Sequence, residues 1–336
     1  MKRRKGEKIM YRVSRVFLIS VVVVMIFILN GWIEQGYSQP KYPTRAIDLI
    51  VTFSAGGGTD LVARATAPFL SKEWGVPVNV INKPGGKTIP GSYEVFNAAP
   101  NGYTLLLTES GCSEFLVISE KNLPFDIMER TYMGTYADVA YLLLISANSP
   151  FKTLDALIAE CKNNPQNITY ASLSGTTTIE LGIRLFFKAI GADISKAKPV
   201  LCPGGADVVN LLAGGHVTLG SASVASAIAS VKGGTIKPLF IAYNERNKLL
   251  PDVPTSAEVG LPTVISTNWY GISGPPKLPS HIVNTWEATL KKLVKDPDVA
   301  SRLATVGASP RPKPLNGQET KVFIADNLDN IKKLWR

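Results

Sequence analysis

"AIDLIVTFSAGGGTDLVAR", Ala46 to Arg64, runs an apolar segment into three glycines and then an acid. Ala46–Phe53 is short and rich in β-branched residues, so it reads as a strand. Leu61–Trp74 reads as a helix that stops at Gly75, with Thr59 or Asp60 placed to cap it. Pro68 inside that segment predicts a kink or a shifted start. A strand that passes through a glycine loop into a helix opens an α/β sheet. It also puts backbone N–H groups where ligands of such sheets sit.

The same grammar continues outward. Pro77–Ile81 reads as a strand, Asn82–Gly86 as a turn, Gly91–Ala99 as a helix and Tyr103–Thr108 as a third strand. Alternation of this kind predicts a parallel sheet with right-handed crossovers. The pattern restarts after Ser149-Pro150. Helix Thr153–Lys162, strand Ile168–Ala171, loop Ser172–Thr178 and helix Ile179–Gly191 come first. Strand Lys198–Cys202, loop Pro203–Gly205, helix Ala206–Gly215, strand His216–Gly220 and loop Ser221–Ser223 follow. Helix Val224–Gly234 and strand Ile236–Tyr243 close the series. The last third, His281–Gly307 and Gln318–Trp335, reads as helices with no further strands, so it is expected to pack back on the first unit. The division is therefore 39–145 plus 266–336 for one α/β domain and 146–265 for the other. The chain crosses between them near Tyr141–Pro150 and Ser266–Pro276, the two-strand hinge of a clamshell.

Charge and export signals bound the function. The net charge of +10 is concentrated at the N-terminus, where residues 1–38 carry seven Lys/Arg against Glu7 and Glu34. The remainder holds 29 basic and 24 acidic residues, too balanced for a nucleic-acid surface. Residues 1–15 form a basic n-region, and Val16–Leu29 is an apolar run shorter than the roughly 20 residues that span a bilayer. Gly36 and Ser38 are small residues at the positions a signal peptidase reads. Residues 1–38 are thus expected to be a signal peptide cleaved near Ser38–Gln39; uncleaved, with Gly31–Ile33 extending the run, they would tether the protein to the membrane. Cys112, Cys161 and Cys202 have no metal or redox spacing and allow at most one internal disulfide; buried free thiols are expected.

Nucleotide and catalytic motifs fail on spacing. A dinucleotide fingerprint from Gly56 needs glycine at Leu61, and a P-loop ending "GGKT" needs one at Ile81. Only His216 and His281 are present, and no G-x-S-x-G elbow or clustered metal-ligand set occurs. No catalysis, cofactor or metal is expected. What remains is a set of loops at strand ends rich in hydroxyls and N–H groups, which suits an anion and a carboxylate above all. Ser54, Thr59, Ser172, Ser174, Thr176, Thr177, Thr178, Ser221 and Ser223 fall in these loops, and some serve only as helix caps. Asp60 has the wrong sign for that ligand. It reads either as an acid of the helix N-terminus or as the acceptor of an amino or hydroxyl group.

An ordered set of motifs now stands out: "YPTRAIDLIVTFSAGGGTDLVAR", "NVINKPGG", "AAPNGYTLLLT", "NLPFD", "PDVPTSAEVGLP" and "WYGISGPPKLP". In order and spacing, across nearly all of residues 42–336, the chain resembles the extracytoplasmic solute receptors of tripartite tricarboxylate transporters, the Bug-type binding proteins. The resemblance implies a two-domain, Venus-flytrap periplasmic receptor of type II-like fold. It would act as a monomer, bind a small carboxylate and present it to the large and small subunits of a membrane permease. By position it points to Phe53, Ser54, Ala55, Gly56, Gly57, Gly58, Thr59 and Asp60, to the turn ending at Lys87, and to Ser110. In the second domain it points to Ser172, Ser174, Thr176, Thr177, Gly204, Gly205 and Ser221. The chain departs from the family at Ser54, at "GGKTIPG", at Glu180, at Cys202-Pro203 and at Thr218, so the second-domain side of the pocket has diverged. The alternatives are a sensing subunit that binds the same solute and an exported enzyme that uses the same cleft.

Overall fold

The computed structural model describes residue 25 and residues 41–173, 177–202 and 204–333. The export signal expected over 1–38 lies outside the described residues, apart from Met25. The described residues from Tyr42 onward gather into one compact unit. No described helix is long and apolar enough to cross a membrane.

The strand β1 (Ile47–Val51) leads through the glycine loop into helix α1 (Gly58–Trp74). The expected cap at Thr59 or Asp60 moves forward: Gly57 is the N-cap, and both residues lie inside the first turn. The helix runs through Pro68 and stops at Gly75, whose left-handed conformation lets its N–H reach Ser71. Then come β2 (Val78–Asn82), α2 (Ile89–Phe96), β3 (Thr104–Glu109) and α3 (Glu114–Ser119). β1 pairs in parallel with both β2 and β3, as the alternation predicts.

The rest of the sheet departs from an all-parallel one. β4 (Thr131–Ser146) is a single long strand in which nearly every residue is buried. Its first part, Thr131–Ala140, pairs antiparallel with β9 (Thr267–Gly274). From Tyr141 onward it pairs with β7 (Gly220–Ser223) and β8 (Ile236–Ile241). β9 in turn lies antiparallel to β3, and with the short edge strand β10 (Ala308–Pro310) the order is β10-β4-β9-β3-β1-β2. The two expected crossings of the chain are thus strands of one mixed sheet, and β4 continues through both of its halves.

Along the second half lie α4 (Leu154–Asn163), β5 (Thr169–Ser172), α5 (Thr178–Ile190), β6 (Lys198–Leu201), α6 (Gly205–Ala213) and α7 (Val224–Lys232). β5 and β6 form a separate parallel pair. The strand expected over His216–Gly220 begins only at Gly220, and the expected loop Ser221–Ser223 is strand β7 itself. Small side chains permit this placement: a Cβ at Gly220 would meet Leu212 and Val208 at 2.8 Å. Period-2 alternation on β4 splits the packing. Leu143 and Ile145 join Phe186, Phe187 and Phe240 in one core, while Leu142 and Leu144 join Val208, Leu212 and Ala222 in another.

The C-terminal segment contains α8 (Ser280–Leu293), α9 (Pro297–Thr305), the unexpected short strand β10 (Ala308–Pro310) on β4, and α10 (Gly317–Lys332). Trp286, Leu290, Val299 and Leu303 share a core with Leu49, Val62 and Leu70, so the return to the first sheet is as expected. Trp74 packs edge-on against Trp286 at 4.5 Å.

Candidate functional site

The loop after β1 is organised from within. Gly56 adopts φ +80, and its N–H donates to Asp60 Oδ2 at 2.9 Å. Arg64 Nε donates to both Asp60 oxygens at 3.0 Å, and Asn82 Nδ2 donates to Oδ1 at 2.9 Å. Asn82 Nδ2 also holds the Phe53 carbonyl at 3.1 Å. Asp60 is 2% exposed, and its two oxygens are taken up by its own loop at Gly56, by Arg64 one helical turn on and by Asn82 of β2. Burial alone would raise its pKa; the bonds from Arg64, Gly56 and Asn82 and the Arg64 charge outweigh it and hold the carboxyl below its ordinary value. Of its two readings, the acid of the helix N-terminus is the one the geometry has. No side chain caps α1, so the N–H groups of its first turn remain free of side-chain acceptors.

Beside it, the turn after β2 is unusual in its backbone. Gly85, Gly86, Lys87 and Thr88 have φ of +97, +52, +53 and +70 in succession. Glycine adopts such values freely, whereas Lys87 and Thr88 hold them against steric preference. Thr88 N–H closes the turn onto the Gly85 carbonyl at 3.1 Å, and Lys87 forms an ion pair with Glu120.

The end of β3 makes a third wall. Glu109 accepts from Gly111 N–H at 2.7 Å, Cys112 N–H at 2.8 Å and Asn268 Nδ2 at 2.8 Å. Burial pushes its carboxyl above the ordinary value despite these donors. From the other half, Thr177 caps α5 by accepting the Glu180 N–H at 3.3 Å. Gly204 is the N-cap of α6, again with no side-chain cap. Ser221 lies buried in β7 opposite Leu143 rather than in a loop.

A cavity of about 260 Å³ opens between these elements. Of the sequence-predicted residues, Phe53, Ser54, Lys87 and Thr177 line it. Ala55 to Asp60, Ser110, Ser172, Gly204, Gly205 and Ser221 stand off its wall, and Ser174 and Thr176 lie outside the described residues. Thr59 is hydrogen-bonded to Tyr270, and Ser110 is held by Asn268. Pro84 and Gly85 of the expected turn and Leu173 of the expected Ser172–Thr178 loop line it too, whereas sequence reasoning missed Thr52, Thr88, Gly111, Ser119 and Cys202 on the wall. Thr52 carried a usable signal as the first residue past a buried strand. Among the described residues no acidic side chain lines the cavity, Lys87 is its cation, and burial pushes the Cys202 thiol up to about 11, so it stays neutral. A wall of this composition is chemically compatible with an anion. Among the described residues no His/Cys/Asp/Glu group of metal-binding size occurs, and the three cysteines are unpaired.

The chain is similar to several known proteins. Protein BugT of Bordetella pertussis is 30% identical over 310 residues, covering 92% of this chain and 94% of the relative. The solved structure of MatC (Rpa3494) from Rhodopseudomonas palustris with bound malate superposes with TM-score 0.73 at 26% identity, over 87% of this chain and 98% of that one. R. palustris Rpa4515 with adipate gives TM-score 0.77 at 25% identity, over 88% and 97%. These likenesses give the chain the α/β periplasmic-binding-protein fold. The profile of the tripartite tricarboxylate transporter family receptors matches residues 62–336, and the chain belongs to that family.

Proposed function

We propose that this chain is a periplasmic receptor that captures a small organic carboxylate in the cavity and delivers it to the membrane subunits of a tripartite tricarboxylate-type transporter, without catalysis. The carrying observation is a cavity wall that is acid-free among the described residues, with hydroxyls, Lys87 and the uncapped start of α1 close by. A volume below the roughly 300–1,000 Å³ of drug-sized pockets favours a small ligand. The relatives solved with malate and adipate support the same ligand class. In this reading 39–145 with 266–336 forms one domain and 146–265 the other, β4 and β9 form the hinge, and ligand shifts an open population to a closed one. The protein is a monomer whose residues 1–38 direct export.

A thermal-shift panel of dicarboxylates, monocarboxylates, aromatic acids and amino acids tests it. Ligand at about 100 times its Kd adds roughly 2.7 kcal/mol of stability, a clear upward shift in Tm. Absence of a shift with every carboxylate would overturn the reading. Recovery of the bound ligand chemically altered, seen by mass spectrometry, would overturn the absence of catalysis.

A further inference from the structure

Behind the cavity wall lies a cluster of buried charges that contact with a ligand does not explain. A Cβ on Gly111, which lines the cavity, would sit 2.7 Å from Glu109 Oε1, so this carboxyl stands directly behind the wall. Glu109, Glu114 and Arg130 are all buried. Charges at such depth are normally paired or saturated with hydrogen bonds. Arg130 gives one N–H to the Cys112 carbonyl at 2.9 Å, and its Nε and Nη2 have no partner among the described residues. The groups that donate to Glu109 and Glu114 are backbone, amide and indole N–H groups, all neutral. Both oxygens of Glu109 and Oε1 of Glu114 accept such bonds, whereas Glu114 Oε2 is buried with no partner. A bare, buried carboxylate oxygen is costly, and a proton on it removes the charge.

The groups facing the two acids leave them negative. Burial pushes the Cys112 thiol up to about 11 and raises Tyr132 and Tyr141 of β4 and Tyr270 of β9, so all four are neutral near pH 7. β9 otherwise presents Asn268 and Trp269, and α10 presents Asn327, none of them charged. Around the cavity, Asp60 is paired with Arg64 and Lys87 with Glu120. Two acids thus share one guanidinium, and with both ionised the cluster keeps an uncompensated negative charge. An anion in the cavity adds a second negative charge on the same side, which raises the proton affinity of the pair.

We propose that the receptor takes up one proton from solvent together with its anion and holds that proton at Glu114 Oε2. The inference rests on the carboxylate-receptor reading and adds a co-ligand to it. Glu109 transmits the charge, since it lies behind Gly111 and acts electrostatically on Glu114. The coupling is reciprocal: an anion that draws in a proton is itself bound more tightly as the medium becomes more acidic.

Titration calorimetry of the full mature chain with malate and with adipate, in buffers of different ionisation enthalpy, counts the protons taken up. Burial and the Glu109 charge bring the Glu114 carboxyl up to about 7 in the free protein, which sets the range to be scanned. At about pH 8 the free pair is ionised and uptake approaches one proton; at about pH 6 it falls toward zero, because Glu114 already carries it. Kd is expected to loosen by up to about tenfold per pH unit above about pH 7. Glu114→Gln mimics the protonated carboxyl, so it is expected to bind at about pH 8 as tightly as the parent does at about pH 6, without proton uptake. A merely structural role for Glu114 would move Tm and leave the proton count unchanged. The parent's own count decides the matter even where the variant does not fold. Binding without uptake at about pH 8, or equal uptake by parent and Glu114→Gln, overturns the proton site and leaves the receptor reading intact. A parent that binds neither acid overturns both.

Discussion

The Ser110 hydroxyl oxygen lies 3.0 Å from Thr178 Oγ1, which ties the end of β3 to the first residue of α5. Ser110 also gives its hydroxyl proton to Asn268 Oδ1, which accepts the Ser110 backbone N–H at 3.1 Å as well. Thr178 is therefore the donor of the pair. The Asn268 amide group passes the chain on, donating to Glu109 and, at 3.1 Å, to Tyr270 Oη. A buried network of this kind fixes one arrangement of β3, β9 and α5 beside the cavity.

Asn268 is the centre of that network, so its loss is expected to exceed that of either neighbour. Asn268→Ala leaves the Ser110 N–H without its acceptor and Glu109 without one donor, each about 1–3 kcal/mol. Ser110→Ala removes only one hydroxyl and is expected to cost about 1 kcal/mol. Urea unfolding of the two variants checks the order; equal destabilisation would mean that the network does not converge on Asn268.

Asp60 gives an acid-side prediction. Its pKa is held below the ordinary carboxylate value in the folded chain, so the stability it contributes is present above the unfolded pKa. That stability is lost as pH falls through the folded one. Asp60→Asn is expected to flatten this loss below about pH 4. At neutral pH, Asp60→Ala costs about 2–3 kcal/mol because Gly56 N–H, Arg64 and Asn82 lose a shared acceptor. Melting curves of both variants across acid pH read the effect.

Glu114 works in the opposite direction. Complete burial pushes its carboxyl from 4.5 up to about 7; donors from Asn327 and Trp269 resist, and the neighbouring Glu109 charge adds to the rise. A raised acid stabilises the fold below its unfolded pKa and loses that contribution as pH climbs through the folded value. At about 1.4 kcal/mol per unit, the loss between pH 4.5 and about 7 is on the order of 3 kcal/mol. Glu114→Gln keeps an acceptor for Trp269 Nε1 and is expected to remove most of that slope. A parent protein equally stable at both ends of this range would contradict it.

The strand–loop–helix units were legible because each strand and helix carries its own period and its own stop. β4 was not, since it is buried on both faces and changes partners at Tyr141, which erases the alternation a reader looks for. Ser221–Ser223 read as a loop by composition; only the close approach of α6 makes small residues the right ones for a strand there. At the site, the glycine loop was visible, but the role of Asp60 depended on Asn82 on another strand. The Lys87-Thr88 pair was visible as a turn and invisible as two left-handed residues, because φ is imposed by the ends of the turn rather than by those side chains.

Gly56 separates backbone strain from crowding. A Cβ placed there meets nothing within 4 Å, so Gly56→Ala suffers no clash, only the penalty of an L-residue at φ +80, about 1–2 kcal/mol. The chain relieves that penalty by rotating the loop, which draws the Gly56 N–H away from Asp60 and shifts Phe53 and Ser54 on the cavity wall. Gly57→Ala is the converse: its φ of −75 is ordinary, but the new Cβ would sit 3.2 Å from the Ser54 carbonyl. Gly56→Ala is therefore expected to lower Tm and to weaken carboxylate binding together. Gly56→Asn, which tolerates left-handed φ, should recover much of both. Parallel thermal melts and titration calorimetry of the three variants decide it. An alanine at 56 that binds like the parent would show that the loop's shape does not matter to the ligand.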